Sequence, residues 1–167
     1  MFQSPGDLLQ SSLDLLRLAK ARELSATERA ALELGAATLA NHVFDWHYEA
    51  HAVGPKGARP TPREWRSATA SFAAEFPAWD LLRQVSNGLK HANPIIADPT
   101  NTEHRRPKWE DYDFWSAEYG GPTLFVEIDG RQRSIRALVK QFARSYVAAY
   151  PQSGVSTSPG GVAASSA

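Results

Sequence analysis

The stretch TLFVEIDGRQRSIRALVKQFARSYVAAY, residues 123–150, decides the fold. From Thr123 to Ile128 the apolar residues Leu124, Val126 and Ile128 alternate on one side, the period of a half-buried strand. Asp129-Gly130 suits a type I′ turn, so a short β-hairpin is predicted to end near Ser134. Ser134 then offers its hydroxyl to the first unpaired N–H groups of a helix. Ile135, Leu138, Val139, Phe142, Tyr146 and Tyr150 follow at helical spacing, the cleanest apolar stripe in the chain. A hairpin feeding directly into a core helix is the C-terminal unit of the domain.

Working back toward the N-terminus, the remaining start signals are all helical. Ser4-Pro5-Gly6-Asp7 supplies a cap, a proline for the first turn and a carboxylate, and predicts a helix from Asp7 to Leu24 with Leu9, Leu13, Leu16 and Ala19 on its buried face. Ser25-Ala26-Thr27-Glu28 is a capping box that opens a proline-free run to Ala52, with a core stripe of Leu32, Ala36, Leu39, Val43, Trp46 and Ala50. The near absence of a linker makes these two helices an antiparallel hairpin. After the loop VGPKGARP, residues 53–60, Thr61-Pro62-Arg63-Glu64 starts a third helix, and Pro77 breaks it because it removes a backbone donor and crowds the preceding turn. A fresh segment runs from Pro77 to Ala92 and stops before Asn93-Pro94. Residues 94–121, rich in aromatics, read as an irregular lid, and residues 151–167, with neither charge nor large apolar side chain, as a disordered tail. The fold class is therefore mainly α: an up-and-down bundle of four to five helices with a short β-hairpin before the last one, in a single domain over residues 1–150.

Composition narrows the function classes. The 167 residues carry 18 Lys+Arg against 18 Asp+Glu and no cysteine. Disulfide frameworks, zinc–thiolate sites and thiol nucleophiles are excluded. No run approaches the ~18 apolar residues of a membrane span, and no basic-then-apolar leader stands at the start, so the expected location is cytoplasmic with no membrane partner. The neutral sum hides a gradient. Residues 1–53 hold 4 basic and 7 acidic side chains, residues 54–109 hold 9 and 5, and residues 110–167 hold 5 and 6. Any polyanion must therefore meet the middle third.

That third contains the sharpest constellation, LLRQVSNGLKHAN at residues 81–93. Arg83, Asn87 and His91 fall at i, i+4 and i+8, one turn apart on one polar face, while Leu82, Val85 and Leu89 point to the core. A guanidinium, an amide and an imidazole that titrates near neutrality are the minimum for metal-independent RNA cleavage, in which the 2′-OH attacks its own phosphate. The alternative is a solvated helix face with no chemistry. The second helix adds Asn41, His42, Asp45, His47, Glu49 and His51. His42 and Asp45 read as a partly buried polar pair that orients the bundle or the His91 face. His47 and His51 at i, i+4 could grip a metal, but HYEAH lacks the HExxH order and a third ligand, so no metal site is expected. His104-Arg105-Arg106-Pro107-Lys108-Trp109 interleaves cations with an aromatic, a pattern suited to single-stranded nucleic acid and equally to a solvated loop.

The segments NHVFDWHYE (41–49), LRQVSNGLKHA (82–92) and LFVEIDGRQRSI (124–135) together resemble a bacterial family of HEPN-like helical bundles. Its His-x-x-Asp/Glu-Trp segment is matched by His42, Asp45 and Trp46, and its Asn-Gly-x-Lys-His segment by Asn87, Gly88, Lys90 and His91. The resemblance implies a bundle that forms homodimers and, in active branches, a cofactor-free ribonuclease of toxin–antitoxin, phage-defence or RNA-processing systems. Arg83, Asn87 and His91 then become the catalytic set, and Lys90, His42, Asp45, Arg105, Arg106 and Trp109 the binding set. Active relatives place four to six residues between Arg and His. Here seven separate Arg83 from His91. Inactive branches imply the other reading, an interaction module that packs a homodimer or binds a protein partner.

Overall fold

The computed structural model describes residues 2–21, 23–51, 60–91, 102–105, 123–128 and 130–155, and at 88–91 and 102–105 the backbone alone. The chain runs α1 (Pro5–Leu18), α2 (Ala26–His51), α3 (Pro62–Glu75), α4 (Pro77–His91), β1 (Thr102–Arg105), β2 (Thr123–Ile128), β3 (Arg131–Ser134) and α5 (Ile135–Ala149), then a short 3-10 turn at Pro151–Ser153. It is mainly helical, as the capping pattern requires. Ser4, Thr61 and Ser134 each accept a backbone N–H of the first turn of their helix, and Ser25 does the same through Glu28 N–H. Pro77 separates α3 from α4 as expected, with Phe76 off helical geometry between them.

The first helix ends at Leu18, six residues short of the expected Leu24, so α1 and α2 are joined by a real connector. Its physical cause is Arg29, whose guanidinium donates to the carbonyls of Ala19, Ala21 and Leu24 and holds the chain in a turn there. The two helices then run antiparallel, with the Ser12 hydroxyl donating to the Ala36 carbonyl at 2.7 Å and a Cβ on Gly35 placed 3.3 Å from Leu15.

That close approach also corrects the phase of α2. Its buried face is Glu33, Ala36, Ala37, Ala40, Val43 and Phe44, whereas Trp46 is 36% exposed and Ala50 lies at the surface. Small residues face α1 because larger ones would hold the helices apart. The described residues of the α1, α4 and α5 stripes are buried as read, Leu9, Leu13, Leu16 and Ala19, then Leu82 and Val85, then Ile135, Leu138, Val139, Phe142 and Tyr146, with Tyr150 half-buried and the Leu89 side chain outside the described residues.

The hairpin before α5 gains a third strand. The sheet has the order β1-β2-β3, antiparallel throughout, with Arg105 opposite Thr123 and Ile128 opposite Arg131. Strand β1 lies inside the stretch read as an irregular lid, because Thr-Glu-His-Arg has no apolar alternation of its own and borrows its pairing from β2. The other residues of 94–121 fall outside the described residues, apart from that strand. Past Tyr150 the 3-10 turn packs its Ser153 carbonyl against Gly6, and Val155 lies on the core; residues 156–167 fall outside the described residues.

Candidate functional site

The seam between α2 and α4 is built around Trp79, which is 1% exposed and packs its ring 5.2 Å from Phe44. Its indole N–H, unable to stay buried without a partner, donates to the Asn41 carbonyl at 3.0 Å. The Asn41 amide reaches the Ser86 hydroxyl at 3.4 Å. Asn41 meets residue 86 and Phe44 meets residue 79, so the two helices are antiparallel here.

Two polar sets flank this seam. On α2, His42 Nδ1 lies 2.7 Å from Asp45 Oδ2, and both side chains remain open to solvent. A carboxylate on Nδ1 fixes the orientation of the ring. The polar pair expected from the sequence is thus formed. On α4, Arg83 sits over the Trp79 ring with its guanidinium carbon 5.9 Å from the centroid, and its Nε and NH2 both donate to Asp80 Oδ1, at 2.9 and 2.6 Å. Asn87 stands half-buried one turn on. The backbone of α4 carries Lys90 and His91 on its last turn, but their side chains lie outside the described residues, as does that of Arg105; Arg106 and Trp109 lie outside them entirely. Arg83, over the Trp79 ring, stands beside the α2–α4 seam, and Asp80, not singled out in the sequence, holds it in place.

A second polar cluster, which the sequence reading split between a weak metal pair and a core stripe, forms at the far end of α2. His47 Nδ1 lies 3.2 Å from the Tyr146 hydroxyl, and the His47 ring packs on His51, Tyr150 and Phe72. Burial, and then the neighbouring His51, pull the His47 pKa down to about 4. Burial raises the Tyr146 and Tyr150 phenols, with Glu75 adding to both and bonded to Tyr150. The missed signal was chemical: tyrosines on an apolar stripe carry hydroxyls that must find partners.

The third missed group is Glu33. It is fully buried on α2, its Oε2 accepting from Thr123 Oγ1 and Leu124 N–H, each at 2.7 Å, and its Oε1 from Arg136 at 2.7 Å. It ties the sheet and α5 to α2. Its signal was visible: Glu33 falls on the same helical phase as Ala36, Ala37 and Ala40. No protein-family model, curated protein or solved structure matches this chain.

Proposed function

We propose that the chain is a HEPN-like bacterial protein that cleaves RNA without a metal ion, in a toxin, phage-defence or stress system, and that RNA lies along the α2–α4 seam. The observations that carry the reading are the Arg83 guanidinium over Trp79 at the α2–α4 seam and the His42–Asp45 pair on α2. In the reaction the 2′-oxygen attacks phosphorus, its proton passes to a histidine, and the departing 5′-oxygen takes a proton back. His91 is the acid or base, Arg83 and Lys90 hold the phosphate, and Asn87 orients the 2′-OH. Arg105, Arg106 and Trp109 hold the flanking single strand, and the active form is a homodimer in the cytoplasm.

The test is incubation of the purified full chain with total RNA in a chelator, beside His91→Ala and Arg83→Ala. Wild type is expected to leave cyclic-phosphate ends, with each variant slower by about 10²-fold or more. Intact RNA with wild type ends the enzyme reading. The second reading, an inactive interaction module, is favoured by Asp80, which already engages the Arg83 guanidinium through two donors. It predicts intact RNA together with a His91→Ala variant whose sedimentation or melting differs from wild type.

A further inference from the structure

The histidine pair at the end of α2 takes no part in the proposed RNA chemistry. We propose that His47 and His51 form a two-imidazole site for a divalent transition-metal ion that prefers square or tetragonal N,O coordination, Cu(II) or Ni(II) in class, with water in the remaining positions.

The geometry of the rings carries this. An imidazole nitrogen binds such ions at about 2.0 Å, and the ring centre lies about 1.1 Å behind that nitrogen, so two rings on one ion at a right angle have centres about 4.4 Å apart. The His47 and His51 centroids are 4.4 Å apart. A tetrahedral angle would set them about 5 Å apart, which favours the tetragonal ions over zinc.

The surroundings fit a ligand as well. His47 Nδ1 faces the Tyr146 hydroxyl, so the tautomer that donates there leaves Nε2 with its lone pair, the arrangement by which outer partners orient metal-bound histidines. Tyr146 is 2% exposed and anchored in α5, so that orientation is set by the core. Tyr150 flanks both rings, 4.8 Å from His47 and 5.8 Å from His51, and walls one side. Among the described residues no group of three His, Cys, Asp or Glu could hold an ion, so the pair would supply two ligands and water the rest.

The test uses tag-free, chelator-treated full chain titrated with Cu(II) in a non-coordinating buffer, followed by calorimetry and electron paramagnetic resonance. One Cu(II) per chain is expected at this site, with splitting from two imidazole nitrogens. His51→Ala, at an exposed helix end, should weaken that binding by about tenfold or more, and His42→Ala should leave it unchanged. The proposal is overturned if wild type binds no Cu(II), if the spectrum shows a single nitrogen, or if His51→Ala binds as tightly as wild type. Loss of binding in His42→Ala instead would also overturn it. None of these outcomes depends on RNA cleavage.

Discussion

At the scale of single residues, Glu33 has the largest structural role for its size. It is a carboxylate with no exposed surface, and its two oxygens are shared among a hydroxyl and an amide of β2 and a guanidinium of α5. Removing one member of such a set strands the others in a low-dielectric interior. Glu33→Ala is expected to lower stability by about 3–5 kcal/mol in urea unfolding, and Glu33→Leu combined with Arg136→Met to recover only part of it, because the Leu124 N–H and the Thr123 hydroxyl still lose their acceptor. Lys140 shows the opposite effect, a charge held where it is unwelcome. Burial, then the neighbouring Lys20 and Arg144, bring its pKa down to about 8 from 10.5. Between those two values the unfolded chain binds more protons than the folded one, so this contribution to stability rises with pH across that window and is at its lowest below it. Lys140→Met should flatten that part of the curve of stability against pH, measured as the difference from wild type.

Elements, one scale up, were legible where a local signal fixes them. Four helix starts were readable because a side-chain oxygen placed three residues before an amide is a local arrangement. Helix ends and faces were not, since they depend on residues far along the chain. Arg29 stops α1 from ten residues away, and Ala36, Ala37 and Ala40 face inward because Ser12 and Leu15 press close. Strand β1 exists through β2, and nothing in Thr102–Arg105 announces it. The candidate site divides the same way. The spacing of Arg83 and Asn87 on one helix was legible, and so was the His42–Asp45 pair, but the seam beside Arg83 depends on Trp79 finding Asn41 across the bundle. Arg29→Ala would free three carbonyls at the end of α1 and cost about 2 kcal/mol, with faster hydrogen exchange confined to the last turn of α1 and its connector.

For the molecule as a whole, the decisive feature is the meeting of its two outermost described elements. A Cβ on Gly6 would stand 1.9 Å from the Ser153 carbonyl oxygen, a backbone atom that cannot swing aside. Gly6→Ala should therefore displace the 3-10 turn and lower the melting temperature, by an amount corresponding to about 1–3 kcal/mol. The same contact means that α1 and the segment after α5 are neighbours in space although they are at opposite ends of the sequence. Geometrically the bundle is a closed circuit with one unjoined seam. A chain relinked across residues 4 and 155 by a short flexible bridge, and opened instead between α2 and α3, should keep the helix order around the ring and unfold in one transition. Where the chain is cut is then a matter of which linker is left open, and the packing of α2 against α1, α4 and α5 is what defines the protein.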